Sequence, residues 1–222
     1  MLITNLNGQN KYASISGYSF GARSLSVKSL NDALKTEGLA EVKPIAVAAD
    51  WVGTFWSENF VFNVKINYFA SRNKEDINLT TLWCWGASYD FGFPVWKNEK
   101  MSLYPYFNLA YMVSQLKTQQ ITDAKSFGAV YNQSLVERSF INNGELDAAL
   151  GLAYRIRVFG NHLLEVGGRY HLPLITSKKW RYIDNKVDFP KIDCRGWAIG
   201  ITWVTNLRTK KATSSSVQPT TE

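Results

Sequence analysis

The chain is poor in charge, poor in cysteine and free of long apolar runs. Only 19% of its 222 residues are charged, below the roughly 25% of ordinary soluble domains. Its two cysteines, Cys84 and Cys194, exclude a disulfide scaffold and leave no zinc-ribbon spacing. The longest stretch without a charge, residues 101–116, is shorter than the ~20 apolar residues that a membrane-spanning helix needs. A helical membrane span is therefore excluded.

What the chain does contain is 45% hydrophobic residues, 14% aromatic residues and a net charge of +7. The apolar content excludes intrinsic disorder for most of the chain. The basic residues are scattered and form no single stripe or patch, so they do not predict nucleic-acid binding.

Apolar and polar residues alternate along most of the chain with a period of two, the pattern of β-strands. Several of these segments are ten residues long or more, well beyond the usual five or six. The pattern predicts eight strands, over residues 12–22, 45–56, 60–70, 77–93, 103–113, 146–158, 164–174 and 197–204.

The predicted connections are of two kinds. Residues 57–59, 94–100 and 160–162 are short turns, residues 72–75 form a brief charged connection, and residues 23–44, 118–145 and 175–195 are long loops. The first long loop carries a helix signal, with Ser29 as N-cap and Gly38 as the stop. Loop 118–145 is nearly uncharged and long enough to fold over a barrel mouth or to dock a partner.

Eight long antiparallel strands in meander order are expected to close into a barrel, since closure removes the sheet edges. With the apolar face inward the barrel would be soluble and lipocalin-like, binding an apolar ligand. With that face outward it would be a transmembrane barrel. The polar face favours the membrane, because it is rich in small residues that suit a narrow lumen and poor in the Lys and Glu of a solvated surface. Aromatic residues near strand ends and the alternation of short and long connections favour it as well.

Several segments resemble the small outer-membrane β-barrel proteins of Bacteroidota, whose eight-stranded architecture is like that of OmpA and OmpX. They are Gly17-Tyr-Ser-Phe-Gly21, Leu25-Ser-Val-Lys-Ser-Leu-Asn-Asp-Ala-Leu-Lys35 with Gly38, and Leu103-Tyr-Pro-Tyr-Phe-Asn-Leu-Ala110. The resemblance covers most of residues 11–206. It implies a fold and an outer-membrane location, and it implies no particular chemistry.

The predicted organisation is an N-terminal extension (1–10), a transmembrane barrel (11–207) and a disordered polar tail (208–222). Residues 1–20 show no basic start, apolar core or small-residue cleavage site, so no signal peptide is recognised. Because an outer-membrane protein must cross the inner membrane, we expect the chain to be the mature form with a new initiating methionine.

Charged side chains on the polar face are predicted to form a salt-bridged lumen network that holds the barrel rigid. Its members are Asp50, Lys65, Asp90, Asp147, Arg155, Arg157, Glu165, Arg169 and His171. A three-residue turn at 160–162 would place Arg157 opposite Glu165, and a two-residue turn made by Ser57 and Glu58 would place Asp50 opposite Lys65. A proton or ion path is the alternative, but eight-stranded interiors are normally packed shut.

Two surface features are also predicted. An aromatic girdle at the membrane boundary comprises Trp51, Phe55, Trp56, Phe60, Tyr89, Phe91, Phe93 and Trp96. The last long loop mixes basic and aromatic residues that suit contact with lipopolysaccharide phosphates or another protein: Lys178, Lys179, Trp180, Arg181 and Tyr182.

The sequence predicts no catalytic activity, no cofactor and no metal site. A lipid-modifying membrane enzyme using His162 or His171 is a third alternative, although no Ser/His/acid spacing identifies partners. Cys84 and Cys194 lie on strands that are not neighbours, so no disulfide is expected. The expected partners are outer-membrane lipid, lipopolysaccharide and a larger outer-membrane protein complex.

Overall fold

In the part of the chain that a computed structural model describes, the main elements are eight long strands and one helix. The structure describes residues 11–57, 59–98, 100–120, 137–142, 144–160, 162–176, 179–182, 185–188, 195–205 and 208–210. The barrel strands are β1 (Lys11–Ser24), β2 (Ile45–Trp56), β3 (Val61–Glu75), β4 (Asn78–Gly92), β5 (Met101–Gln120), β6 (Glu145–Arg157), β7 (Leu163–Ile175) and β8 (Gly196–Thr205). Helix α1 spans Lys28–Thr36.

The strands form a closed, eight-stranded antiparallel barrel in which each pairs with its neighbour along the chain. Closure is made where β1 pairs with β8, for example Gly21 with Gly200. The predicted fold class is therefore confirmed.

Alternation along each strand gives the barrel an apolar outside and a polar inside. On β3, Phe62, Val64 and Ile66 face outward, while Asn63 and Lys65 are buried inside. The apolar face therefore points outward and the lipocalin-like arrangement does not occur. On β4 and the residue that follows it, the outward apolar residues run from Trp83 to Phe93, a height of about 25 Å for a strand tilted by about 40°. That is the height of a lipid-facing band.

One end of the barrel carries the short turns between strands, and we call it the turn end. Turns 57–60, 93–100 and 158–162 lie there, and short strand Trp96–Lys97 pairs with β5 in the second. A cluster of mostly apolar side chains fills the lumen at this end: Trp56, Val61, Tyr104, Tyr106, Ala153, Leu163 and Val204.

At the opposite end, the loop end, β3, β4 and β5 rise above the other strands and form a wall. Three short strands extend the wall beyond β5: Glu137–Asn142, Lys179–Tyr182 and Asn185–Asp188. Chain 137–157 pairs with β5 on both sides of a bend at residues 142–144. The side-chain oxygen of Asn142 accepts the backbone N–H groups of Ser114 and Gly144 at 2.8 and 3.2 Å, which satisfies backbone donors that the bend takes out of the ladder.

Helix α1 plugs the loop end of the lumen. Leu30 and Leu34 are buried against Phe69, Leu82, Met112, Leu116 and Trp180. Loop 25–44 is tied to the wall through its backbone carbonyls: Ser71 donates to Lys43 (2.9 Å) and Asn73 to Glu41 (2.8 Å). The helix was predicted, but its N-cap is Val27, not Ser29. Gly38 follows it with φ of 67°, a conformation that favours glycine.

Replacing both Leu30 and Leu34 by alanine should loosen this plug without opening the barrel wall. The exposed fractions of these leucines are 0% and 2%, and each buried Leu→Ala change costs about 2–5 kcal/mol. We expect trypsin to cleave loop 25–44 at Lys28 or Lys35 much faster than in the parent. Asp32→Ala, on the exposed face of the same helix, is the matched control and should leave the rate unchanged. Equal cleavage of both variants would contradict the packing described here.

The C-terminal segment differs from expectation in its first residues. Arg208–Lys210 pair with Lys11–Ala13 of β1, so the prediction of a disordered tail is wrong for these three residues because the free edge of β1 pairs with them. The rest of that prediction, 211–222, and the predicted extension 1–10 lie outside the described residues. In the part of the chain that the structure describes, no helix is long and apolar enough to cross a membrane.

Candidate functional site: the lumen network and the loop-end surface

The lumen network begins at the turn end with Arg155 and Glu165, which face each other across β6 and β7. Arg155 donates from Nε to Glu165 Oε2 at 2.8 Å, and its Nη2 donates to the same oxygen. The Tyr104 hydroxyl donates to this oxygen as well and accepts from Arg155 Nη2 at 3.0 Å. The guanidinium carbon also lies 5.6 Å from the Trp56 ring centroid. All four side chains are buried, so the pair is held in fixed geometry.

The middle of the network is built around the Asp90 carboxylate. Lys65 Nζ lies 2.8 Å from Oδ2, and Asn108 donates to Oδ1 at 2.6 Å. Asn63 donates to Oδ2 at 3.2 Å and accepts from Arg155 Nη2 at 3.3 Å, so it connects the two clusters. A buried charge requires such partners, because water is not there to solvate it.

The loop-end part of the network contains Arg23, Asp147 and His171. Arg23 Nη2 donates to Asp147 Oδ2 at 2.9 Å, and His171 Nδ1 lies 3.9 Å from that oxygen. Arg169 donates from Nε to His171 Nε2 at 2.9 Å and reaches within 3.9 Å of Asp90 Oδ1. Arg169 therefore joins the middle and loop-end clusters, and the polar network runs the length of the lumen.

Asp50 is a predicted lumen residue that lies outside this network. It has no hydrogen-bond partner among the described residues and lines a cavity of about 50 Å³ together with Lys65 and Arg169. The row Gly21, Gly200 and Gly167, paired across three strands, contributes no side chains to this region. The cavity is far too small to be a solute channel.

The predicted pairings across strands are wrong, although the predicted faces are right. Arg155, not Arg157, is opposite Glu165, because the turn comprises residues 158–162. Asp50 faces Asn67 and Lys65 faces Val52, because the β2–β3 turn comprises residues 57–60. Each turn is two residues longer than expected, and a two-residue shift conserves the face while changing the partner. Arg157 instead donates to the carbonyl of Gly160 at the turn end.

Sequence reasoning missed several members of the network. Arg23 lies one residue beyond the predicted end of β1, although the alternation continues through it. Glu145 lies one residue before the predicted start of β6; it is buried and accepts from Asn142 Nδ2 at 3.2 Å. Tyr104, Asn63 and Asn108 carry no charge and were read only as strand residues. Extending each alternating pattern to its last consistent residue would have found Arg23 and Glu145.

The predicted aromatic girdle is mostly on the outer face near the turn end. Phe55, Phe60, Phe62 and Phe91 form a chain of ring contacts with centroid distances of 5.0–6.3 Å. Tyr89 stacks on Phe62, and Phe93 and Trp96 are exposed beside them. Trp51 lies higher in the band. The prediction is wrong for Trp56, which does not belong to the girdle. Its side chain points into the lumen, because it is adjacent to outward-facing Phe55 and neighbouring residues on a strand face opposite sides.

The predicted surface-binding loop is only partly at the surface. Lys179 and Arg181 are exposed, whereas Trp180 is completely buried in the loop-end plug. Tyr182 is half-buried against Phe140, with ring centroids 5.2 Å apart. Trp180 and Tyr182 therefore close the mouth, and Trp180 cannot contact a partner. Lys178 lies outside the described residues, as do residues 121–136 of loop 118–145.

The two histidines and Cys84 pack against other side chains of the barrel. His162 lies between the rings of Phe159 and Trp203, with centroid distances of 4.9 and 5.5 Å. His171 is fully buried in the network. Cys84 is buried beside the Ser114 hydroxyl at 3.1 Å, and Cys194 lies outside the described residues. Among the described residues, no group of three or more His, Cys, Asp or Glu side chains is arranged to hold a metal.

An apolar band outside, a filled polar lumen inside and turns at one end define the class of protein. The chain is an eight-stranded transmembrane β-barrel, the construction used in bacterial outer membranes.

No protein-family model and no curated protein matches the chain. Among solved structures, it is similar to Ail, the attachment invasion locus protein of Yersinia pestis, with 12% identity and a TM-score of 0.34 over 90% of this chain and 99% of Ail.

Proposed function

We propose that this protein is a non-conducting outer-membrane barrel with a structural or accessory role. In this role its loop end faces the outside, where it contacts lipopolysaccharide or a larger outer-membrane protein complex, and the barrel itself has no catalytic activity. We also propose that it belongs with the small barrels of Bacteroidota, on the segments that resemble them.

The observation that carries this proposal is the sealed lumen. The turn-end cluster closes one end, helix α1 and Trp180 close the other, and the charged network fills the space between them. The lumen as a whole is nearly neutral, because Arg23, Lys65, Arg155 and Arg169 share it with carboxylates from β2, β4, β6 and β7. A filled, nearly neutral interior supports a rigid scaffold and not a transport path.

The purified full-length protein, inserted into planar lipid bilayers, should show no ion-conducting steps. The L30A/L34A variant should also show no ion-conducting steps, because the turn-end cluster and the lumen network are unaffected. A trimeric porin in the same membrane provides the positive control. Reproducible single-channel steps from the parent protein would overturn the proposed function, whereas steps from L30A/L34A alone would show that α1 provides the seal.

A further inference from the structure

The outward face of the loop-end wall carries a row of basic side chains that the sequence reading did not connect. We call this set, Arg72, Lys74, Lys117, Arg181 and Lys186, the basic belt. These residues come from four separate segments of the chain and meet only through strand pairing.

Strand register places the belt residues on one face. Arg72 is paired with Thr81, and Thr81 with Lys117, so the two cations lie on either side of one strand, about 10 Å apart. Arg181 is paired with Ile141 and with Lys186. Trp180, the neighbour of Arg181, is buried in the plug, so Arg181 must point away from the barrel axis.

The height of the belt is set by the apolar band below it. On β4 the band ends at Trp83, and Thr81 is the next outward residue, about 5 Å higher on a tilted strand. Arg72 and Lys117 therefore lie where the apolar chains of a bilayer give way to its headgroups. The belt is continuous with the lipid-facing surface.

The charge of the belt is largely uncompensated. Lys117 Nζ lies 2.8 Å from the carboxylate of Glu137, on the neighbouring strand. Arg72, Lys74, Arg181 and Lys186 are exposed and make no ion pair with any residue that the structure describes. Register also places Lys179 and Asp188 opposite each other on this face, where their charges offset. The four remaining cations complement an anion, and phosphate is the anion of the headgroup region.

We infer that the basic belt binds the phosphate groups of a phosphorylated lipid in the surrounding leaflet. The lipid chains lie against the apolar band on β3–β5, and the phosphates meet Arg72, Arg181 and the lysines immediately above it. Arginine suits this role because its planar fork binds phosphate oxygens in pairs. The inference deepens the proposed function, on which it rests for the orientation of the loop end.

The test measures binding of the detergent-purified full-length protein to bisphosphorylated lipid A and to its dephosphorylated form. The belt variant R72Q/K74Q/R181Q/K186Q spares Lys117 because it already has a partner. The control variant, K28Q/K35Q/K43Q/K100Q, removes the same charge from exposed positions away from the belt. We expect the belt variant to lose affinity for the phosphorylated lipid at least about tenfold, and the control variant to stay within about twofold of the parent.

The remaining measurements show whether the phosphate groups or the lipid chains account for the binding. The parent should bind the dephosphorylated lipid as weakly as the belt variant does, and millimolar inorganic phosphate should compete only weakly because it lacks the chains. Equal binding of both lipid forms, or unchanged affinity of the belt variant, would overturn the inference and leave the belt as a surface for an acidic protein segment. Ion conduction by the parent would refute the sealed barrel without affecting these affinities, so the two failures are distinguishable.

Discussion

Replacing Gly21 by alanine is expected to prevent the barrel from closing. Gly21 is paired with Gly200 where β1 meets β8, the first and last barrel strands. A Cβ atom at Gly21 would lie 2.0 Å from the carbonyl oxygen of Ile199 and 2.8 Å from the Cα of Gly200. These are backbone atoms, which cannot rotate away as a side chain would, so the two strands must separate. Their pairing is what removes the sheet edges, and we expect most of the chain not to fold.

The folded fraction can be read from heat-modifiability on gels, since a folded barrel migrates differently from the boiled chain. We expect the folded fraction to fall at least about tenfold, because the lost pairing exceeds the small net stability of a folded chain. Gly167→Ala is the matched control: Gly167 lies in the same row of paired glycines, but its added Cβ would meet Ala153 Cβ at 3.3 Å and the carbonyl oxygen of Leu152 at 3.4 Å. Equal folding of the two variants would show that the close approach at Gly21 is unimportant.

Replacing Glu165 by glutamine should strongly destabilise the folded barrel. The change removes the charge that compensates Arg155, whose guanidinium is buried between Glu165, Tyr104 and Trp56. Breaking a buried ion pair by neutralising one partner typically costs about 3–5 kcal/mol, because the other charge stays out of water. We expect a lower temperature for loss of the folded gel band and a lower urea midpoint for unfolding from lipid vesicles.

Two further variants separate the loss of the pair from a general effect of substitution. Glu37→Gln neutralises an exposed carboxylate just after α1 and should leave both measurements unchanged. The double variant R155M/E165M removes both charges, so it should be less destabilised than Glu165→Gln alone. A double variant at least as unstable as Glu165→Gln would mean that the uncompensated charge of Arg155 is not what destabilises the barrel.

The faces of the barrel were accessible from the sequence, whereas the partners across strands were not. Lys65 and Asp90 were both assigned to the lumen, and the structure brings their charged groups to 2.8 Å. The partner expected for Lys65 was Asp50, which faces Asn67 instead. The face on which a side chain lies depends only on whether its position along the strand is odd or even. Its partner on the neighbouring strand depends on the length of the turn, which composition does not define to within two residues.

Trp56 and Trp180 show the same limit for single side chains. Both were expected at a surface, because aromatic residues near strand ends and in basic loops usually serve membranes or partners. The structure buries Trp56 against Arg155 and Trp180 in the plug with α1. A sequence pattern identifies an aromatic residue near a boundary, but the packing of other segments decides which side of the boundary it fills.

The sequence by itself determined an all-β chain of eight strands, because a period of two is a property of each strand alone. Its polar face, rich in small residues, favoured an outward apolar face. Only the tertiary structure decided which charges meet in the lumen, that α1 and Trp180 close the loop end, and that cations from four segments form one belt. Those features bring together residues as distant in sequence as Arg23 and Asp147, or place residues such as Arg72 and Lys186 on one surface. These arrangements depend on how turns set the register and how the barrel closes, and neither is a local property of the chain.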